Sequence, residues 1–473
     1  MSRTRTVLPP GQNKMGVMSE GKLLINMAAP MIIAMLVQAL YNIVDSYFVS
    51  QITEHPGYTD VTVIRESAIA AMSLAFAVQN MLIGFATGVG VGVNALLSKS
   101  LGEGNQERAN RTAGNGITLS VICTAIFMAF GIVGAKPYFS MMSDVDLTVE
   151  MGTQYITICC LLSLGIFMEI LGERLLQASG RTIYTLITQG TGAVLNIILD
   201  PCFIFGLGPF PKMGIAGAAV ATVIGQWVAA ILAMIFNVKF NHDVKFSRDC
   251  FKLRKDVVGP ILVVGIPTTI MTGIGSIMNI GINKILQSFR QYGEVPVNVF
   301  GIYFKLQSFF FMPLFGMNNA TISIVAYNYG ARRPERITRT LKIAAVSALS
   351  FMLLGVLAFQ TVPDVLLGIF DTAPEFLRLG CSALRTISLC FPFAAVCIAL
   401  GASFQALGNG IYSTVISLCR QMVVLLPAAY LLSLSGNVNW VWWAFPIAEM
   451  ASLLATMFFF VRIYKQKIRP MFL

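Results

Sequence analysis

Asp45 stands in the run PMIIAMLVQALYNIVDSYFVSQ, residues 30–51, and is the single charged side chain between Lys22 and Glu54. A lone carboxylate in an apolar helix costs about 2.5 to 3.5 kcal/mol on membrane-insertion scales. A chain bears that cost when the group faces a cation, a water-filled cavity or a partner. Asn196 and Asp200 stand four residues apart, which places them on one helix face. With Thr222 they add oxygen donors to Asp45 and bring neither Cys nor His. Oxygen donors of this kind suit an alkali cation. Two carboxyls close together in a low-dielectric site also resist ionising together, which suits proton uptake and release. The residues therefore form a candidate H⁺ or Na⁺ site, with Na⁺ a candidate occupant at Asp45, Asn196 and Asp200. The plain alternatives are a neutral, hydrogen-bonded Asp45 and an Asn–Asp–Pro helix end, since Pro201 follows Asp200.

The elements that must hold these groups are membrane helices. The chain has 473 residues, a mean hydropathy of +0.74, 56% hydrophobic residues and only 12% charged ones. A soluble domain carries about 25% charged residues. Apolar runs long enough to cross a hydrocarbon core recur throughout. Their breaks delimit twelve helices at 23–51, 67–97, 110–136, 148–178, 182–206, 214–238, 257–287, 297–327, 336–362, 374–405, 410–434 and 440–464. The fold class is an all-α membrane protein of twelve spans in two pseudo-symmetric six-helix bundles. Helices one and five run outward, with Asp45 and Asp200 each six residues before the expected outer end. Helix six runs inward, with Thr222 eight residues past its start. All three then sit roughly 10 Å below the outer surface.

The net charge of +11 is a topology signal rather than a nucleic-acid signal. The basic residues cluster on one side, where the positive-inside rule places the cytoplasm. Segment 239–255 alone contributes Lys239, Lys245, Arg248, Lys252, Arg254 and Lys255, whereas outer loops supply Arg65, Lys136, Lys212 and Arg290. Both termini are therefore expected on the cytoplasmic side of the plasma membrane. The expected domains are a cytoplasmic tail 1–22, a bundle 23–238, a linker 239–256, a bundle 257–464 and a tail 465–473. Nine cysteines, an odd count lying mostly in apolar runs, argue against a disulfide framework. His55 and His242 show no metal-ligand spacing.

The second half repeats the first. At a constant shift of 228 residues, Phe76, Gln79, Gly88, Gly102, Glu107, Arg108, Arg111 and Thr112 meet Phe304, Gln307, Gly316, Gly330, Glu335, Arg336, Arg339 and Thr340. After a gap in the first outer loop, Pro30 and Asn42 also meet Pro267 and Asn279. Six spans per half make the repeats parallel, an arrangement known in transporters with a site between the halves. Asp45, Asn196 and Asp200 have no acid or amide counterpart: Ile282, Val424 and Ala428 occupy the repeat positions. Gly84, Gly88 and Gly92 share one face and predict close helix packing.

On the paired halves, Pro30 fifteen residues before Asp45, NIILDP in helix five, and the loops GEGNQERANRT and GARRPERITRT, the sequence resembles the multidrug and toxic compound extrusion (MATE) transporters, nearly end to end. The resemblance implies a secondary active exporter. It would antiport organic, cationic amphipathic compounds against H⁺ or Na⁺ by alternating access, with no other cofactor. It also implies that helix one bends at Pro30 when Asp45 is protonated. Gln38, Tyr41 and Asn42, on the approach to Asp45, are the candidate substrate contacts. Small drug-like molecules and membrane lipids are the expected partners of a monomer. Lys305, Arg385 and Glu449 share a depth and are expected to form one charge cluster. A lipid-linked saccharide flippase is the competing function, with Lys305, Arg385 and Arg420 holding a pyrophosphate. A membrane enzyme lacks support, since the spans carry no His and no nucleotide loop.

Overall fold

The computed structural model describes residues 13–56, 58–370 and 373–472. Ten continuous helices and two bent pairs among them are long and apolar enough to cross a membrane. In chain order they are α1 (Glu20–Ser50), α2 (Val61–Gly102), α3 (Gln106–Met142), α4 (Asp146–Leu161 with Leu164–Ala178), α5 (Thr182–Phe205), α6 (Ile215–Phe240), α7 (Lys255–Gln287), α8 (Val295–Gly330), α9 (Pro334–Thr361), α10 (Pro374–Ser388 with Phe391–Ala406), α11 (Gly410–Ser433) and α12 (Val438–Met471). The two bent pairs, α4 and α10, turn by 49° and 44°. They are repeat equivalents, so the break belongs to the six-helix unit itself.

Local chemistry marks the ends. Asp60 caps α2 by accepting from Thr62 N at 2.8 Å, and Asn105 caps α3 by accepting from Arg108 N at 2.9 Å. Gly206 closes α5 in the left-handed conformation at φ +73°. Pro201 does not end α5. It removes one backbone N–H, and the helix runs on to Phe205. Helix α1 is likewise continuous through Pro30.

The halves meet along α1, α2, α7 and α8, mainly toward the end of the bundle that carries the termini. A Cβ on Gly88 would lie 2.7 Å from Gly265 O, and one on Gly92 would lie 2.2 Å from Ile261 O. The glycine face of α2 is thus where the α7 backbone lies. Nearer the termini, Gly102 and its repeat mate Gly330 cross. A Cβ on either would come within 1.9 Å of Tyr327 O or 2.1 Å of Lys99 O. Ser323 Oγ donates to Asn94 Oδ1 across the same seam at 3.0 Å. At the far end, the core around Val49, Ala68, Phe139 and Tyr155 draws on residues of the first half alone. The halves are therefore joined at the terminal end, whereas this far-end core holds no residue of the second half.

Both terminal segments are packed against the bundle where they are described. Residues 1–12 and 473 lie outside the described residues. Asn13 caps a short helix, Lys14–Val17, that packs on the second half. Met15 is fully buried, and Arg336 donates to Met15 O at 3.2 Å and Met18 O at 2.5 Å while pairing with Glu20 at 3.5 Å. At the other end, Ile468 is buried and Lys467 Nζ donates to Leu407 O at 2.6 Å. Apolar anchors and free helix carbonyls bind both segments down. The segment between the bundles is held too. Asn115 of α3 donates to Cys250 O at 2.9 Å and Lys252 O at 3.1 Å, and accepts from Arg254 N at 3.0 Å.

Candidate functional site

In the first half, α5 and α6 touch backbone to backbone: a Cβ on Gly225 would lie 2.8 Å from Gly192 O. That approach brings the next turns together. Asn196 Nδ2 donates to Asp200 Oδ1 and to Thr222 Oγ1, each at 3.2 Å. Asp200 is fully buried, Asn196 and Asp45 nearly so. Asp45 lies within electrostatic range of Asp200 and of Tyr155 and Cys159 on α4. Asp45 Oδ1, Asn196 Oδ1 and Asp200 Oδ2 are buried with no hydrogen-bond partner among the described residues. Buried orphan oxygens of this kind are costly unless something with positive charge or a proton meets them. All four sequence-derived ion-site residues thus gather in the first half.

Beside them lies a cavity of about 60 Å³ between α1, α2, α4, α5 and α6. A volume of that order takes a few waters and no organic molecule. Asn196 and Thr222 line it at one end, Gln38, Tyr41 and Gln189 along its side. Gln189 Nε2 donates to Gln38 Oε1 at 3.1 Å, which ties α5 to α1. Asn42 is exposed and does not line the cavity. Two groups that sequence reasoning missed, Glu169 and Glu173, line its other end. Thr188 Oγ1 donates to Glu173 Oε1 at 3.0 Å, and the neighbouring Arg174 guanidinium donates to Gln177 Oε1 at 3.0 Å. Their signal was in the chain: Glu169, Glu173 and Arg174 are charges inside an apolar helix, with the two acids four residues apart on one face.

The expected cluster in the second half does not form. Glu449 of α12 pairs with Arg420 of α11, Oε1 to Nη1 at 2.5 Å. Lys305 and Arg385 are exposed and make no ion pair among the described residues. The depth expected from the sequence does not bring the three together: Arg420 of α11, and neither Lys305 of α8 nor Arg385 of α10, is the cation that meets Glu449. Ile282, which stands where α1 has Asp45, is fully buried in the apolar core of the second half.

The MatE family model matches residues 30–202 and 264–431. The chain belongs to the MatE family. It is therefore a multi-pass membrane transporter, of a family that couples to ions and needs no cofactor. It is similar over most of its length to an FAD transporter of Shewanella oneidensis, 25% identical over 444 residues that span 94% of this chain and 95% of that one. It is also similar to the multidrug export protein MepA of Staphylococcus haemolyticus, 23% identical over 437 residues and 92% of each chain. Among solved structures, an outward-facing multidrug resistance MATE transporter shares the fold with a TM-score of 0.87, at 24% identity over 98% of this chain and 99% of that one. The twelve-helix architecture read from the sequence is the architecture of this family.

Proposed function

We propose that this MatE-family transporter is a multidrug exporter that antiports cationic amphipathic compounds against H⁺ or Na⁺, using Asp45, Asn196, Asp200 and Thr222 as the coupling site. The observation that carries the reading is the set of three buried, unpartnered oxygens on Asp45, Asn196 and Asp200. A proton or an alkali ion is the occupant that hard oxygens in a dry site accept. Glu169 and Glu173 extend the acidic lining toward the terminal end. From Thr188, which binds Glu173, to Asn196 is eight residues of α5, about 12 Å along the axis. Water in the cavity would connect the two carboxylate groups. The acid-rich lining favours cations, in keeping with the multidrug export named for the MepA relative.

Ion binding would be felt at Pro30 through α1, where the missing N–H leaves room for a bend. Gln38 and Tyr41 lie between Pro30 and Asp45 and would sense both. With both termini in the cytoplasm of a plasma-membrane monomer, the terminal-end seam is the closed inner gate and the far end opens outward. The flippase reading loses support because Arg420, one of its three cations, is held by Glu449.

The test is drug efflux from proteoliposomes under separately imposed pH and Na⁺ gradients. Asp45→Asn keeps size and hydrogen bonding but does not titrate. It is expected to insert normally and to lose coupled export. Full gradient-driven export by Asp45→Asn at wild-type abundance would refute the reading.

A further inference from the structure

We infer that the second half holds a separate binding pocket for an aromatic organic anion, built on Lys305. A cavity of about 530 Å³ lies between α7, the first turns of α8 and the start of α10. Its lining carries four phenylalanines, three asparagines and one charged group, the Lys305 ammonium, and no carboxylate. Lys305 stands ten residues into α8, about 15 Å along the helix. A cation at that depth without a counter-charge is expensive. Among the described residues Lys305 makes no ion pair: Glu449 is taken by Arg420, and Glu375 lies near Arg378 at 4.0 Å.

The rest of the lining agrees on the ligand. Asn283 and Asn298 make no side-chain hydrogen bond among the described residues, so their amide N–H groups are free to meet an anion or its polar substituents. Asn279 already donates to Gly275 O at 3.1 Å. Half-buried Phe304 and exposed Phe370 supply ring surface for a flat apolar body, over a floor of Phe300 and Phe376 that is packed into the core of the second half. A volume of this size holds two to three fused rings with a charged substituent. The lining of the small cavity in the first half has the opposite sign, with two carboxylates and no cation. Ion coupling and anion binding would therefore occupy different halves and communicate through the shared α1–α8 and α2–α7 seams.

The experiment is isothermal titration of the purified full-length protein in phosphatidylcholine nanodiscs, with empty nanodiscs subtracted. The probes are 2-naphthalenesulfonate and its neutral counterpart 2-naphthylmethanol. The sulfonate is expected to bind at least tenfold tighter than the alcohol. Lys305→Met should weaken the sulfonate by about tenfold or more, the worth of one charge-assisted contact, and leave the alcohol unchanged. Lys305→Arg should retain sulfonate binding, and Lys284→Met, outside the pocket lining, should not alter it. Equal binding of the two probes, no measurable sulfonate binding, or sulfonate binding indifferent to Lys305→Met would each overturn the inference. Lys305-dependent retention of phosphatidylglycerol without sulfonate binding would assign the lysine to a lipid headgroup and overturn it as well. No ion gradient is used, so this test can fail while the coupling site at Asp45 stands.

Discussion

Replacing Gly102 by alanine should unlock the terminal end of the bundle. At this crossing a Cβ would lie 1.9 Å from Tyr327 O, whereas ordinary contact begins near 3.4 Å. The helices must part by about 1.5 Å, and no side-chain rotation relieves the clash because backbone lies on the other side. Overpacking of this kind costs about 1 to 3 kcal/mol. The strain exists only while α2 and α8 cross here, so the state with this end open is spared. Its population relative to the closed state should rise by roughly 5- to 150-fold. Hydrogen exchange followed by mass spectrometry reads that shift in two segments, 13–20 and 94–102, which the seam covers. Their amides should exchange faster in Gly102→Ala, and faster still with Gly330→Ala added. Gly259→Ala is the control, because nothing lies within 4 Å of the added Cβ. A folded Gly102→Ala protein with unchanged exchange in both segments would refute the argument that this crossing is the gate.

The Glu449–Arg420 pair should behave as coupled neighbours. Breaking a fully buried pair costs about 3 to 5 kcal/mol; with Arg420 31% exposed, the loss for Glu449→Gln should fall nearer 1 to 3 kcal/mol. Glu449→Gln with Arg420→Met should be milder than the two single losses added, as thermal unfolding in detergent would reveal, and strict additivity would refute the pairing. The docked N-terminal helix should respond to pH. Burial first, and the Arg181 guanidinium second, push the Lys14 ammonium down from 10.5 to about 8. The undocked state then binds more protons between those values, so docking should tighten as pH rises from about 8 toward 10.5 and be weakest, without further pH dependence, below 8. Protease cleavage within 13–18 should slow over that range, and a flat profile, or one that Lys14→Met leaves unchanged, would contradict it.

The sequence by itself determined how many spans there are, that they repeat as two halves, and how far along its helix each group stands. Each of these depends only on the hydrophobic period and on the 1.5 Å rise of a helix. Asn196 and Asp200 could be paired in advance because four residues along one helix is a fixed geometry. The glycine face of α2 was readable for the same reason, and α7 does lie upon it. Rotation about each helix axis was not readable, because only packing against neighbours sets it. Lys305, Arg385 and Glu449 agreed in depth, yet Arg420 is the cation that α11 turns toward Glu449. The same holds for Glu169 and Glu173. Their spacing was plain, but that they face the cavity beside Asn196 depends on how α4 bends and settles against α5 and α6. The docking of Met15 and Ile468 was hidden for a different reason. A short apolar anchor in a polar segment has no period of its own, and it acquires a partner only when the second half has folded to receive it.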